Sequence, residues 1–147
     1  MDGIGALVPV AMGLADATDP VIPVTVLARG VAAAGTDVVD FHVGPVFPAT
    51  PGRPGRHRYL VEFAGPPPEP AAFAAALDAE LCRINEDYRA HRRGDLTIRP
   101  PEICPVRRGG FADWMRSRGQ LGGQHKVPRM DNSGRLTDEL TRFFRKD

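Results

Sequence analysis

Apolar and polar residues alternate in two short stretches of the chain, as is typical of half-buried strands. The apolar residues that share a face are Val39, Phe41 and Val43 in the first stretch, and Tyr59, Val61 and Phe63 in the second. Residues 48–58 lie between them and are rich in proline and glycine, which predicts a long hairpin loop. Two strands joined in this way favour an antiparallel sheet.

Helical spacing of apolar residues predicts two helices in the remainder of the chain. The first should begin near Pro70, after a run of prolines, and end at Gly94, and its apolar stripe consists of Phe73, Leu77, Leu81, Ile84 and Tyr88. The second is a terminal helix with an apolar face at Leu136, Leu140, Phe143 and Phe144, with Asp131, Asn132 or Ser133 as its N-cap.

Three weaker patterns complete the predicted order of elements. We expect a helix at residues 19–34, a third strand at residues 96–106 that is interrupted at Pro100 and Pro101, and a short helix at residues 111–115. The sequence therefore predicts an α+β fold with a small antiparallel sheet of three to four strands and helices packed mainly on one face. Residues 1–18 form an N-terminal arm or extra strand, and residues 19–147 form a single domain.

Composition narrows the classes of function. The net charge of +1 lacks the basic excess of a protein that binds nucleic acid. Cys82 and Cys104 are too few for a disulfide scaffold, which favours a reducing compartment. Neither a basic leader nor about twenty continuous apolar residues occur, so we expect a cytoplasmic protein without a membrane partner.

Lys126 is the strongest candidate for chemistry. Only it and Lys146 are lysines among the 19 basic residues. It lies in a glycine-rich segment, Gly119 to Arg129, and Pro128 follows it by two residues. Glycines loosen the approach to the lysine and the proline fixes the exit, so this loop would present a compact positive charge. A fixed cation of this kind stabilises negative charge that develops on a phosphate or carboxylate. The alternative for Lys126 is an ordinary solvated lysine.

The order of several motifs resembles the C-terminal domain of the auxin-responsive Gretchen Hagen family of acyl-acid amido synthetases, and more closely its bacterial members. The matching segments are Val38-Val39-Asp40-Phe41 through Pro45-Val46-Phe47-Pro48, Tyr59-Leu60-Val61-Glu62-Phe63, Asn85-Glu86-Asp87-Tyr88 with Arg92, Gly109-Gly110-Phe111, and Gly122-Gly123-Gln124-His125-Lys126-Val127-Pro128-Arg129. The last is the most specific of them. The resemblance implies that Lys126 belongs to a swinging domain and reaches the acyl-adenylate site of a larger N-terminal domain.

The resemblance also defines what this chain should lack. The nucleotide-binding motifs of the family belong to the N-terminal domain, so we expect no cofactor to be bound by these residues alone. ATP would take part only where a partner domain supplies the nucleotide site. The ligand would be an acidic or acyl small molecule, and the partner a separate adenylating protein or a second copy of the chain.

Residues near Lys126 are further candidates, and each has an alternative role. His125 is proposed as a catalytic base or a hydrogen-bonding group. Gly123, Gln124 and Arg129 are assigned to substrate binding, although Arg129 could instead form an ion pair with Asp138 or Glu139 of the terminal helix. Trp114 is the last candidate for substrate contact, but its spacing with Phe111 and Met115 favours core packing.

Other polar residues are interpreted as structural. Tyr88 and Arg92 end a core helix, and the arginines at positions 53, 56 and 58 are expected in solvated turns. His42 and His57 have no partners at the spacing of zinc ligands, so no metal site is predicted.

Two classes of function stay open. The chain is either an enzyme component, working with an adenylating partner or reused as a small biosynthetic cyclase or condensation catalyst, or a non-catalytic module for small-molecule binding or assembly.

Overall fold

A computed structural model of the protein describes residues 38–50, 52–84, 86–93, 98–119, 127–131 and 133–145. The described elements are β1 (Val38–Val46), β2 (Arg56–Phe63), α1 (Pro70–Ile84), α2 (Glu86–Arg92), β3 (Glu102–Val106), α3 (Gly110–Ser117) and α4 (Arg135–Arg145). The predicted arm at residues 1–18 and helix at residues 19–34 lie outside the described residues.

The described strands form one mixed sheet in the order β1-β2-β3. β1 and β2 pair antiparallel through the hairpin that the sequence predicts. β3 pairs parallel to β2, so the prediction of a purely antiparallel sheet is wrong. The reason is the long connection through α1 and α2, which returns the chain to the end of the sheet where β2 began. The α+β class is confirmed.

The first face of the sheet is covered by α1 and α2, as the apolar stripe predicts. Phe73, Leu77 and Leu81 share one buried cluster with the strand residues Phe41 and Val61. Phe73 also meets Phe63 edge-on, with ring centroids 5.6 Å apart. This cluster is the main apolar core of the described residues.

Val39 departs from the predicted face of β1. The pairing of β1 with β2 is irregular between Val38 and Asp40, and Val39 is 43% exposed. Val38, opposite Phe63, packs against the core in its place. An irregular residue of this kind shifts the alternation of side chains by one, which a period-two pattern cannot reveal. The side chain of Ile84 lies outside the described residues.

The second face of the sheet is covered by α3 and α4, so the helices are not confined mainly to one face as predicted. A second apolar cluster joins the sheet to these helices. It contains Leu60, Val106, Phe111, Trp114, Met115, Val127 and Leu140. The sheet is therefore the middle layer between two pairs of helices.

The predicted long helix is described as two segments, α1 and α2, which a partly buried ion pair joins. The hydroxyl of Tyr88 donates to Asp78 Oδ1 at 2.8 Å, and Arg92 donates from Nε and Nη2 to the two oxygens of Asp78, both at 2.6 Å. A bidentate pair of this kind fixes both position and orientation. The structural interpretation of Tyr88 and Arg92 is thereby confirmed.

Candidate functional site

The structure describes residues that follow and contact the lysine loop, the predicted loop at residues 119–129, but it does not describe the lysine itself. Gly123, Gln124, His125 and Lys126 lie outside the described residues, so their predicted roles stay predictions. The segment that follows them, residues 127–131, is described, and so are the remaining candidates, Arg129 and Trp114. The contacts of residues 127–131, which form the exit of the loop, therefore show how the chain is held after Lys126.

Residues 127–131 run alongside β1 at the edge of the sheet. The amide of Val43 donates to Arg129 O at 2.8 Å, and the amide of Asp131 donates to Val43 O at 3.2 Å. The resulting bridge pairs Val43 with Met130 in parallel. Pro128 needs no donor partner because it has no N–H, which suits a position at the start of such a pairing. The chain is thus in register with the sheet within five residues of Lys126.

His42 adds a side-chain anchor to the same segment. Its Nδ1 lies 2.6 Å from Pro128 O and its Nε2 lies 2.7 Å from the hydroxyl oxygen of Thr137. A carbonyl oxygen only accepts, so Nδ1 carries the proton and donates to Pro128. In the neutral ring Nε2 is then an acceptor for the hydroxyl of Thr137. One fully buried ring thereby joins β1, the loop exit and α4.

The surroundings of His42 favour the neutral ring. Burial lowers the pKa of His42 below 6.5, and it outweighs the opposing effects of the Pro128 carbonyl and the carboxylates of Asp131 and Asp40. Neutral imidazole can keep the donor and acceptor roles just described. At neutral pH the anchor is therefore intact and carries no charge.

The first turn of α4 is fixed by a cap that the sequence predicts. Asp131 Oδ2 accepts from the amide of Leu136 at 2.6 Å, and Asp131 Oδ1 accepts from both the amide and the hydroxyl of Ser133. Ser133 in turn accepts from the amide of Arg135 at 3.2 Å. Free amides at a helix start need such partners, and a carboxylate also suits the positive end of the helix. The cap confirms Asp131 and Ser133 as cap residues and places α4 directly after the loop exit.

Gly44 allows α4 to approach the sheet. A Cβ atom added at Gly44 would lie 1.8 Å from the hydroxyl oxygen of Thr137, far inside van der Waals contact. Thr137 is the residue that bonds His42, so the close approach and the anchor depend on each other. The signal for this contact is a glycine two residues after a histidine, at the end of a predicted strand.

Arg129 faces β1 rather than the terminal helix. Its Nε lies 3.4 Å from Asp40 Oδ1, and its guanidinium lies 5.5 Å from the ring centroid of Phe41. The alternative ion pair with Asp138 or Glu139 is not formed within the described part of the chain, where Glu139 pairs instead with Arg118. The side chain of Arg129 is about half exposed, with a relative exposure of 48%. It stays a candidate for binding an anion.

Trp114 lies in the second apolar cluster. It is 5% exposed and packs with Phe111, Met115 and Val127 in that cluster. The guanidinium of Arg118 lies 4.9 Å from the centroid of its ring. The core packing that its spacing favours is therefore present. Contact of Trp114 with a substrate stays a prediction.

The second face of the sheet carries buried polar side chains that sequence reasoning missed. Arg58 is 8% exposed, so its assignment to a solvated turn is wrong. It donates to Glu102 Oε1 at 2.8 Å and to the hydroxyl of Thr141 at 3.2 Å. Burial opposes ionisation of Glu102, yet the hydrogen bond from Arg58 and the charge of Arg56 prevail and lower its pKa. Alternation within β2 does not reveal this burial, because a buried polar residue and a solvent-facing one give the same pattern.

Glu62 belongs to the same polar layer and supports α3. Its Oε2 accepts from the amide of Gly109 at 2.9 Å and its Oε1 from the amide of Phe111 at 3.4 Å. The carboxylate is 4% exposed and lies at the positive end of α3. Gly109 has a φ of 84°, a left-handed conformation that glycine adopts without strain. The Gly109-Gly110-Phe111 motif is thus a turn that presents amides to a buried acid.

Among the described residues no group of three His, Cys, Asp or Glu side chains is arranged to hold a metal ion. Within the same residues no helix is long and apolar enough to cross a membrane.

Comparison with known proteins identifies the domain. The model of the GH3 family C-terminal domain matches residues 24–135. The chain belongs to the GH3 family. The match includes Lys126 and every other candidate site residue, and it confirms the resemblance seen in the sequence. None of the curated proteins matches the chain significantly.

Solved GH3 structures share the fold. A GH3.15 acyl acid amido synthetase is 22% identical with a TM-score of 0.64, and the match covers 88% of this chain. A structure described as AtGH3.15 acyl acid amido synthetase in complex with 2,4-DB is 21% identical with a TM-score of 0.62, and covers 89%. In each case the match covers 23% of the solved chain. This chain therefore corresponds to less than a quarter of those synthetases.

Proposed function

We propose that this GH3 domain supplies Lys126 to the acyl-adenylate site of an adenylating domain that these 147 residues do not contain. The substrate is an acidic or acyl small molecule, and the product is an amide or related acyl derivative. The observation that carries the proposal is the family match over residues 24–135, which includes the lysine loop. The 147 residues contain no phosphate-binding glycine loop with a Lys-Ser or Lys-Thr pair, so ATP would be bound by the adenylating domain.

The described exit of the loop suits this role. Beyond Lys126 the chain is held by the backbone bonds of Val43, by the ring of His42 and by the cap of α4. A catalytic cation must return to the same position relative to its substrate, and small displacements cost rate. His42 is thus a positioning residue in this proposal, since it acts through the loop.

The direct test of the proposal separates chemistry from folding. Lys126→Ala should slow acyl transfer in the presence of the adenylating domain by about a hundredfold or more, because a preorganised charge at the transition state is lost. Lys126→Arg should restore activity only in part, since a planar guanidinium replaces a compact ammonium. Both variants should keep the free energy of unfolding within about 0.5 kcal/mol of the wild type. Lys146→Ala is the matched control and should behave as the wild type.

A second measurement tests whether adenylation requires the separate adenylating domain. The purified chain with ATP and a panel of carboxylic acids should release no pyrophosphate, whereas addition of the adenylating domain should start the reaction. Wild-type turnover in Lys126→Ala would contradict the role of the lysine. Pyrophosphate release by the homogeneous chain alone would contradict the claim that a separate domain carries out adenylation. A Lys126→Ala protein that fails to fold would show that the lysine is structural.

A further inference from the structure

The tip of the hairpin between β1 and β2 forms a concave site that the proposed function does not use. The cavity has a volume of about 590 Å³, and its wall includes the side chains of Phe47, Arg53, Arg56 and Arg99. A volume of this size is typical of small-molecule sites in proteins. None of the residues that line it belongs to the segment 127–131.

Two separate parts of the chain bring these arginines together. The amide of Arg99 donates to Gly55 O at 2.7 Å, and Ile98 forms a parallel bridge with Gly55. This pairing places the residue that precedes Pro100 beside the start of β2. Gly52 has a φ of 85°, and its left-handed conformation turns the chain back so that Arg53 lies on the same wall. The arrangement is therefore built on backbone contacts.

The charges on this wall are poorly neutralised within the described part of the chain. Arg56 has one ion pair, at 3.4 Å to Glu102, and that carboxylate also accepts the shorter bond from Arg58. Arg53 and Arg99 are exposed and form no ion pair with any described residue. The described lining residues include no carboxylate. Like charges held around a concavity repel one another, and a bound anion would relieve this repulsion.

We propose that this cavity binds a phosphate-bearing small molecule. Three arginines that line one cavity from separate positions suit a tetrahedral phosphate, which presents oxygens in several directions, better than one planar carboxylate. Phe47 is 39% exposed and lies on the wall with Pro48 and Pro54, so an apolar surface is available beside the charges. The ligand is therefore inorganic pyrophosphate or an organic phosphate whose ring contacts Phe47.

Calorimetric titration of the full chain tests this site with four probes, which are pyrophosphate, ATP, citrate and adenosine. Pyrophosphate and ATP should bind, with affinity that falls as salt is raised, because the attraction is electrostatic. Arg53→Ala combined with Arg99→Ala should weaken their binding by at least about tenfold. The control Arg142→Ala removes an exposed arginine of α4 and should leave binding within about twofold. Lys126→Ala should also leave binding unchanged, which separates this site from the proposed function.

Binding to the Phe47→Ala variant distinguishes an organic phosphate from inorganic pyrophosphate. Tighter binding of ATP than of pyrophosphate, with the difference lost in Phe47→Ala, identifies an organic phosphate. Equal binding of the two probes, unaffected by Phe47→Ala, identifies inorganic pyrophosphate. The proposal is overturned if no phosphate probe binds, if the double arginine variant binds as the wild type does, or if citrate or adenosine binds as tightly as pyrophosphate. Urea unfolding of each variant confirms that the fold is retained, and an unfolded double variant is replaced by the single Arg53→Ala and Arg99→Ala proteins.

Discussion

Replacing His57 with leucine should remove much of the loss of stability that the protein undergoes on mild acidification. His57 is 3% exposed, and its Nε2 has no hydrogen-bond partner among the described residues. Burial lowers the pKa of His57 from 6.5 to about 4. The folded protein therefore resists protonation of a ring that the unfolded chain protonates readily, and acid favours unfolding.

The size of the effect follows from the two pKa values. Stability from this ring is fully present above the unfolded value of 6.5 and falls as the pH decreases towards 4. Between about pH 7.5 and pH 5 the loss is on the order of 2 kcal/mol. With a urea dependence of about 2 kcal/mol per molar, the unfolding midpoint should fall by roughly 1 M. His42, whose pKa is also lowered, adds to the loss in the same direction.

Urea unfolding at these two pH values gives the measurement. His57→Leu should show a smaller fall in the midpoint than the wild type, whatever its stability at the higher pH, because the comparison is internal to each protein. Val39→Ala is the control, since Val39 is 43% exposed on β1 and carries no titratable group, and its replacement should preserve the wild-type profile. Equal pH dependence in His57→Leu and the wild type would refute the assignment of this loss to His57.

Two further substitutions test the two faces of the sheet. Leu77→Ala, at a residue with 0% exposure in the main apolar core, should lower the free energy of unfolding by about 2 to 5 kcal/mol in urea titration; an unchanged value would remove Leu77 from the core. Glu62→Ala should cost about 1 to 3 kcal/mol by the same measurement, because two amides at the start of α3 lose their acceptor, whereas Glu86→Ala, at a side chain with 91% exposure, should cost little. Equal losses in the two glutamate variants would contradict the buried cap.

The sequence predicts the first face of the sheet well because that face is apolar on both sides of the contact. Each of two apolar surfaces must be buried, and they pack against each other. One is the helical stripe from Phe73 to Leu81, and the other is the strand face with Phe41 and Val61. Strand direction is different, since periodicity is the same for parallel and antiparallel partners. The direction of β3 depends on how far the connection through α1 and α2 travels, which the pattern does not encode.

Part of the second face escaped prediction because, beside the apolar cluster around Leu60, it buries polar residues. His42, Arg58 and Glu62 occupy alternate positions that are typical of a solvent-facing side, and each is buried with its own partner. Polar residues can be buried only where hydrogen bonds replace those with water. The partners, such as Thr137 and Thr141, are distant in sequence, so no local pattern joins them. Hydrophobic periodicity therefore locates an apolar interface and misses a polar one.

The polar contacts give the second face a mechanical role that its apolar cluster alone would not have. Apolar contacts on the first face depend on area and tolerate small shifts, since the hydrophobic effect is non-directional. Hydrogen bonds on the second face have narrow requirements for distance and angle, so they fix the register of what they hold. What they hold here is α3 through Glu62, α4 through Thr137 and Thr141, and the exit of the lysine loop through Pro128. These directional bonds therefore hold the segment that follows Lys126 in register with β1 and with the start of α4.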